Sequence, residues 1–431
     1  MSRTLNNRIF GSRLSRNISW IFIGNVLHAV LAFLLNILVA RILNLNDNGL
    51  LNYATSWITF FTSVGTLGFH GIISREFAKN ESRSNEYIWS CIGARILFAV
   101  FAIVALQIIV RLSSPDEPQL HLIVLCQSMT ILFSTFDMLI YWYRYKNQAK
   151  VTAGYKLLAF AISASWRVVA IVVFKSLILY VLGIATETIL FVVFLILFYR
   201  KHYTVNVLVK KQTMISMLKM SYPFIFSAVL ATIYGQADKI MLKNLIDNSS
   251  VALYNASTMI AGLVVIIPTT LIEGFRADIM DAKMKDEMLY QRRLRQLYAI
   301  VFWTCIAYGF FITIFAKQII TMLYGTKYIG AVNSLSLVVW YTSFSYFGSI
   351  NNVYMVAEDK QKWVQATTLT GAIANVVLNF VMIPVWGIVG AALASLVTQF
   401  LANFVMMAII PDLRKGYKIM LKGIAIRDCI D

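Results

Sequence analysis

Long runs of apolar residues recur along the whole chain and are separated by short polar segments. A helix needs roughly 20 apolar residues to cross the hydrocarbon core of a bilayer. The pattern therefore predicts an all-α polytopic membrane protein with about 12 transmembrane helices. The predicted spans cover residues 18–43, 49–70, 88–110, 120–143, 153–174, 176–199, 220–245, 251–273, 296–316, 332–357, 363–384 and 387–410.

The composition agrees with this pattern. Of the 431 residues, 59% are hydrophobic and 13% are charged, whereas about 25% of the residues of a soluble domain are charged. The first apolar run, from Ile18, is longer than the apolar region of a signal peptide and lacks a small-residue cleavage site, so we expect no removable signal peptide. The loops between the spans are too short to hold a soluble domain.

The basic segment 200–219 divides the chain into two halves, which we predict as domains 1–205 and 206–431, each a bundle of six helices. A short motif supports this division, because DNGLLNYATS at 47–56 follows the first span and DNSSVALYNAST at 247–258 follows the seventh. Each half has an even number of spans, so we expect a pseudo-twofold axis along the membrane normal. Parallel repeats of this kind occur in transporters that rock two bundles around a site near the midplane.

The formal net charge of +18 could indicate a partner such as nucleic acid. Its distribution indicates a membrane orientation instead, because Lys and Arg concentrate in every second loop, as the positive-inside rule requires. We therefore expect both termini in the cytoplasm, affinity for anionic lipid headgroups and no binding of nucleic acid.

Four segments carry a resemblance to a known family. They are VARILNLNDNGLLNYATSW (39–57), SREFAK (74–79), ADKIMLKNLIDNSSVALYNAS (237–257) and NVVLNFVMIPVWGIVGAALAS (375–395). In this order they resemble the first hairpin, the end of the second helix, the seventh-helix signature and the eleventh-to-twelfth hairpin of the O-antigen flippases of the Wzx type. These flippases belong to the polysaccharide transporter family of the MOP superfamily, which also contains the MATE transporters. The resemblance extends from about residue 15 to about residue 405.

The resemblance implies a MATE-like fold and a role in lipopolysaccharide or related polysaccharide biosynthesis. A flippase of this type moves a repeat unit linked to undecaprenyl diphosphate from the cytoplasmic to the periplasmic leaflet of the bacterial inner membrane, by alternating access. The implied partners are membrane lipid and the lipid-linked oligosaccharide, and a polysaccharide polymerase and a chain-length regulator are further candidates. Arg41, Arg75, Arg95 and Arg167 are expected to balance the diphosphate, because guanidinium binds phosphate oxygens in bidentate geometry.

Six charged residues lie inside predicted spans, where each costs roughly 2.5–3.5 kcal/mol at a helix centre. They are Arg95, Asp137, Arg167, Glu187, Asp238 and Lys239. Arg95 and Asp137 have similar predicted depths, so they either form an ion pair or line a cavity. Arg167 can reach either Glu187 or Asp238, and these three charges favour a water-filled cavity over a single pair. Lys239 is near enough to the outer end to extend its ammonium to the surface.

Uncharged polar residues also share helix faces. Asn375 and Asn379 lie on one face of the eleventh span, and Asn352 lies near Tyr341 in the tenth. Such residues either line a cavity or form interhelical hydrogen bonds that hold the helices together. We count these four residues among the candidates for the cavity wall.

The motifs of common enzymes are absent from the sequence, including GxxxxGK[ST], HExxH and GxSxG. The four His and four Cys residues lack ligand or triad spacing. We expect no catalytic residue, metal or cofactor, and coupling to H⁺ or Na⁺ through Asp238 and Glu187 is a hypothesis. Two alternatives remain open: an integral-membrane O-antigen polymerase or glycosyltransferase, and a MATE-type small-molecule antiporter.

Overall fold

The computed structural model describes residues 13–426. Within this range every regular element is helical. The first eight helices are α1 (Arg13–Ile42), α2 (Leu45–Val64), α3 (Ile73–Lys79), α4 (Ser84–Ser113), α5 (Pro118–Phe133), α6 (Met138–Tyr145), α7 (Ala149–Val172) and α8 (Leu177–His202). They are followed by α9 (Lys211–Leu245), α10 (Asn248–Ala261), α11 (Ile266–Lys285), α12 (Glu287–Tyr324), α13 (Ala331–Ala357), α14 (Lys362–Phe400), α15 (Met406–Ile409) and α16 (Arg414–Ile424).

Within residues 13–426, eight helical segments are long and apolar enough to cross a membrane. One of them, Lys362–Ile409, contains both of the last two predicted spans. Helices α1, α2 and α13 coincide with three further predicted spans. Every predicted span therefore coincides with helical structure, and the all-α prediction is confirmed.

The chain divides into two compact units, Met1–Thr232 and Ile233–Asp431, and the division falls inside α9. The first part of α9 belongs to the N-terminal unit because its start is bonded to α4: Thr213 donates to the Glu86 carboxylate at 2.5 Å, and Lys210 Nζ donates to it at 2.8 Å. The predicted boundary at 205/206 lies in the segment before α9 and stays a prediction. The expected cytoplasmic termini lie outside the described residues.

The repeated Asp-Asn pairs lie at the starts of α2 and α10. The side chain of Asn44 caps α2 by accepting a hydrogen bond from the Asp47 amide at 2.7 Å. The side chain of Asp247 caps α10 by accepting one from the Ser250 amide, also at 2.7 Å. Each such cap stabilises a helix start by about 1 kcal/mol. The two Asp residues therefore differ in role, since Asp47 lies within the first turn and Asp247 is the cap.

Two predicted spans are bent by short 3₁₀ segments. The segment Ser134–Asp137 separates α5 from α6, and the segment Gly262–Val265 separates α10 from α11. Pro268 explains the second bend, because proline lacks an amide hydrogen and its ring clashes with the carbonyl four residues earlier. The bend lies about one turn before Pro268.

Helix α14 contains the break between the last two predicted spans. Gly387 has φ +58° and ψ −134°, a conformation open mainly to glycine, and it follows Pro384. The chain then folds tightly against itself, because a Cβ atom on Gly390 would lie 2.1 Å from the carbonyl oxygen of Met382. This contact is with backbone, which cannot move aside as a flexible side chain can.

Gly390→Ala is therefore expected to lower the thermal stability of the detergent-solubilised protein by several degrees. The added methyl group must displace the Met382 carbonyl, and overpacking of this kind costs about 1–3 kcal/mol. The matched control is Gly274→Ala, since a Cβ there meets nothing within 4 Å and alanine is the better helix former. A thermal scan in which Gly390→Ala melts at or above the wild-type temperature would contradict the tight contact.

Candidate functional site

The C-terminal unit contains a closed network of polar side chains around Asp238 on α9. Asp238 Oδ1 accepts a hydrogen bond from Asn379 Nδ2 at 2.6 Å. Its Oδ2 accepts from the hydroxyls of Ser395, at 2.7 Å, and Tyr254, at 2.5 Å. Asn375 completes the network, because it accepts from Asn379 and donates to Ser395 at 3.1 Å each. All five side chains are buried.

The network holds a carboxylate with neutral donors only. Hydrogen bonds from three donors stabilise an ionised carboxylate without an ion-pair partner. Two polar atoms nearby, Asn379 Oδ1 and the Tyr234 hydroxyl, have no hydrogen-bond partner within the described range. The Asp238 charge also acts on the hydroxyls of Tyr234 and Tyr341. The site therefore combines a buried carboxyl group with spare hydrogen-bonding capacity, and the Lys239 side chain lies within electrostatic range of it.

Lys239 does not reach for the surface, so that prediction is wrong. Its ammonium donates to Asn255 Oδ1 on α10 at 2.7 Å. Because α9 and α10 are joined by a tight turn, Asn255 comes to lie beside Lys239 about two helical turns below the connection. A buried amide thus takes the place of solvent for this ammonium.

The predicted polar faces of α13 and α14 have different surroundings. Asn375 and Asn379 both belong to the Asp238 network, so interhelical hydrogen bonding is observed for them. Tyr341 lies within electrostatic range of Asp238. Asn352 is partly buried and makes no hydrogen bond among residues 13–426, whereas its neighbour Asn351 accepts from Tyr298 at 2.6 Å. Their roles as substrate contacts stay predictions.

The N-terminal unit contains a second group of polar side chains, on α1, α7 and α8. Arg167 Nη2 donates to Glu187 Oε2 at 2.6 Å, and His28 Nε2 lies 3.1 Å from Glu187 Oε1. Gly183 makes room for the arginine, since a Cβ there would lie 2.5 Å from Arg167 Cγ. Of the two acids that Arg167 was expected to reach, Glu187 is its partner. The pairing of His28 with Glu187 was not predicted, because the two residues are 159 positions apart in the sequence.

Arg95 and Asp137 do not form the ion pair that their similar depths allowed. Arg95 is 1% exposed, and it donates to the carbonyl oxygens of Gly65 at 2.9 Å and Thr135 at 3.3 Å. The bend between α5 and α6 turns the Thr135 carbonyl towards the guanidinium. Asp137 still lies within electrostatic range of Arg95, and also of Lys156 on α7.

Asp137 faces a polar cavity inside the N-terminal unit. The first part has a volume of about 320 Å³ and is lined by Thr62, Thr130, Ser134, Asp137, Ile140, Arg144, Thr152, Ala153, Lys156, Glu187, Thr188 and Phe191. A second part of about 310 Å³ shares Thr62 and Thr130 with it and adds Thr55, Ile58, Thr59, Ser63, Thr66, Gln127 and Ile184. We call the two parts together the N-terminal polar cavity.

The wall of the N-terminal polar cavity combines both signs of charge with many hydroxyl groups. The hydroxyls of Thr62 and Thr130 and the carbonyl oxygen of Gln127 have no hydrogen-bond partner within residues 13–426. The charged side chains of the first part favour water or a polar ligand over an acyl chain there. The second part of the wall is mostly apolar, and the three unpartnered atoms are themselves buried. Lys156 was missed among the charges inside predicted spans, although its position within 153–174 was a sufficient signal.

The other two predicted arginines lie at helix ends. Arg41 is exposed in the last turn of α1. Arg75 is exposed on the short helix α3, with Nε 3.5 Å from Glu76 Oε1. Their predicted contacts with a diphosphate stay predictions.

Comparison with known proteins identifies the family. Residues 14–273 match the family model described as polysaccharide biosynthesis protein. The chain belongs to this family. The capsular polysaccharide biosynthesis protein CapF of Staphylococcus aureus is 20% identical to it over 404 residues, which cover 90% of this chain and 96% of CapF.

Solved transporter structures have the same fold. The lipid II flippase MurJ in an inward closed conformation superposes with a TM-score of 0.73 at 15% identity, over 94% of this chain and 90% of MurJ. An inward-facing multidrug resistance transporter of the MATE family superposes with a TM-score of 0.65 at 12% identity, over 92% and 96% of the two chains. The predicted fold class, an all-α polytopic membrane protein of MATE-like fold, is thus confirmed.

Proposed function

We propose that this protein flips lipid-linked saccharide units of a surface polysaccharide across the membrane by alternating access. One observation carries the proposal: a member of a polysaccharide biosynthesis family has, inside an apolar helical unit, a cavity with charged and hydroxyl-bearing walls. A lipid-linked saccharide needs such a polar interior for its sugars, while its apolar tail stays in the bilayer. The fold shared with MurJ supports the same proposal.

The finer features of the proposal follow from the sequence. The cargo is an undecaprenyl-diphosphate-linked repeat unit of O-antigen or of a related polysaccharide such as capsule, as the similarity to CapF suggests. The basic loops orient the protein in the inner membrane with cytoplasmic termini, so that flipping runs from the cytoplasmic to the periplasmic leaflet. The flipped units would pass to a polysaccharide polymerase and a chain-length regulator, which are the proposed protein partners. The protein itself catalyses no covalent reaction in this proposal.

A MATE-type antiporter of small molecules is the second candidate. The observation that favours it is the buried carboxyl group of Asp238 in a chain that superposes on a MATE transporter. The two candidates differ in cargo, and the family match favours the saccharide.

Ion coupling is part of the proposal. Asp238 binds H⁺ or Na⁺ in one state of the cycle and releases it in the other, which couples flipping to an ion gradient. The support is geometric: the carboxylate is buried, has neutral donors and lies beside two polar atoms that have no hydrogen-bond partner in the described part of the chain. Glu187 is a weaker candidate, because Arg167 and His28 already hold its carboxylate.

A deletion strain tests the proposed function. We expect it to lose the surface polysaccharide and to accumulate the lipid-linked unit in the cytoplasmic leaflet, where membrane-impermeant reagents reach it only after the cells are opened. A plasmid copy of the wild-type chain should restore both. Normal polysaccharide together with a changed sensitivity to small toxic cations would overturn the proposal in favour of the antiporter.

A further inference from the structure

The N-terminal unit has a small apolar cavity that shares no lining residue with the N-terminal polar cavity. Its volume is about 240 Å³. Its apolar wall consists of Trp89, Leu139, Ile196, Tyr199, Val205 and Val207. Pockets that hold a whole drug-sized ligand have about 300–1,000 Å³, so this cavity has room for part of one apolar chain.

The cavity lies near one end of the membrane-spanning helices. Trp89 is in the second turn of α4 and Tyr199 in the last turn of α8, and both helices are candidate membrane spans. Ile196 lies about one turn deeper on α8. Trp and Tyr are enriched at the level of the lipid headgroups, where their rings contact apolar and polar groups at once. The cavity therefore lies at the depth of the first acyl carbons of a membrane lipid.

The segment between α8 and α9 forms one side of the cavity. Its residues 204–210 have no regular secondary structure. Asn85 Nδ2 donates to the Thr204 carbonyl at 3.2 Å, and the Lys210 amide donates to the Ser90 hydroxyl at 3.0 Å. Both ends of the segment are thus fixed to α4. We call residues 204–210 the α8–α9 strap.

The α8–α9 strap exposes a run of apolar side chains. Val205, Val207, Leu208 and Val209 are 38%, 60%, 38% and 50% exposed. Two of them, Val205 and Val207, also line the cavity. Contiguous exposed apolar side chains mark a contact with an apolar partner. At this depth in a membrane protein, the apolar partner is the acyl region of the lipid.

The charged group in the cavity wall is a cation. Arg200, in the last turn of α8, lines the cavity and has an exposed side chain, and the next residue, Lys201, is exposed as well. Glu86, the acid at the far end of the strap, already accepts hydrogen bonds from Arg83 and Lys210. The mouth of the cavity therefore carries positive charge at the headgroup level, which attracts anionic lipid headgroups.

We infer that the apolar cavity binds one anionic glycerophospholipid of the surrounding membrane, with an acyl chain against Trp89, Ile196 and Val207 and the headgroup phosphate on Arg200. A phospholipid fits better than a free anion or a peptide, because the site joins an apolar cavity to a cation at the headgroup level. A guanidinium offers paired donors to phosphate oxygens. The bound lipid joins α4, α6 and α8 to the strap, just before α9 continues into the C-terminal unit. The inference does not depend on the identity of the cargo.

Native mass spectrometry of the purified full-length protein in detergent micelles tests the inference, with anionic phosphatidylglycerol and zwitterionic phosphatidylcholine as probes. We expect the chain to retain one phosphatidylglycerol more tightly than phosphatidylcholine. Arg200→Gln should weaken binding of phosphatidylglycerol by about fivefold, the effect of one basic residue at an anionic membrane surface, and leave that of phosphatidylcholine unchanged. The matched control is Lys285→Gln, which removes one exposed positive charge from the last turn of α11.

The apolar part of the site has its own variant. The double variant Val205→Asn and Val207→Asn should weaken binding of both phospholipids, and it should fold because both positions are exposed. Met288→Asn, at an exposed apolar position in the first turn of α12, is the matched control and should change neither. A phosphatidylglycerol with a photoreactive acyl chain should label the peptides that contain Trp89 and Ile196.

Three results would overturn the inference. The first is unchanged phosphatidylglycerol binding by either Arg200→Gln or the double valine variant. The second is photolabelling that spares the peptides of Trp89 and Ile196. The third is stronger protection of these peptides by undecaprenyl phosphate than by unlabelled phosphatidylglycerol, because the occupant would then be a polyprenyl lipid and not a membrane phospholipid.

Discussion

Asp238→Asn is expected to lower the rate of lipid-linked saccharide flipping by about tenfold or more and to remove its dependence on an ion gradient. The size follows from typical coupling free energies between two ligands of one protein. Asp238 carries the charge of its network, and a neutral amide cannot release a proton or balance a sodium ion. The measurement is the initial flipping rate in proteoliposomes, with and without an imposed pH or Na⁺ gradient.

The same substitution also disturbs hydrogen bonds, and this effect must be separated from coupling. The amide NH₂ of an asparagine would either face the Asn379 donor or require the hydroxyls of Tyr254 and Ser395 to turn and accept, and an unsatisfied buried group costs about 1–3 kcal/mol. Tyr254→Phe removes one donor and keeps the charge, so it should lose stability but retain ion dependence. Asp278→Asn, at an exposed position on α11, should change neither property. Full ion-dependent flipping by Asp238→Asn would refute the coupling role.

The helical architecture was predictable because the bilayer sets the length of apolar segments. The bends were partly predictable, since Pro268 and Pro384 are local signals. The exact break in α14 was not, because the left-handed conformation of Gly387 depends on how the flanking helices pack. The repeated Asp-Asn motif was visible in the sequence, but the choice of Asp247 as cap and Asp47 as first-turn residue depends on the register of each turn.

The candidate site was only partly predictable, because depth along a helix does not specify the direction in which a side chain points. Similar depths suggested an ion pair of Arg95 with Asp137. The guanidinium instead donates hydrogen bonds to the backbone carbonyls of Gly65 and Thr135. The Lys239 ammonium donates to the side-chain amide of Asn255 on the next helix, and a count of residues from the helix end cannot reveal such a contact. Asn375 and Asn379 were recognised as one polar face, whereas their shared partner Asp238 required the fold.

The backbone carbonyls bound by Arg95 also explain why it tolerates burial. The guanidinium donates to one carbonyl oxygen at the bend Ser134–Asp137 and to one at the end of α2, that of Gly65. Arg95 thereby joins α2 to the α5–α6 bend through α4. Its position sets the geometry of the wall from which Asp137 and Thr62 face the N-terminal polar cavity.

Arg95→Met is expected to lower the melting temperature of the detergent-solubilised protein by roughly 5–15 °C, since about 2–4 °C is lost per kcal/mol in a unit of this size. Two buried carbonyls lose their donor, at about 1–3 kcal/mol each, and Asp137 loses a nearby cation. The melting temperature of Arg95→Lys should lie between those of the wild type and Arg95→Met, because an ammonium reaches one carbonyl more readily than two. Arg111→Met, at an exposed position in the last turn of the same helix, is the matched control and should change the melting temperature by no more than about 2 °C. Equal melting temperatures for Arg95→Met and Arg111→Met would mean that Arg95 does not hold the bend, and the geometry of the cavity wall would then need another explanation.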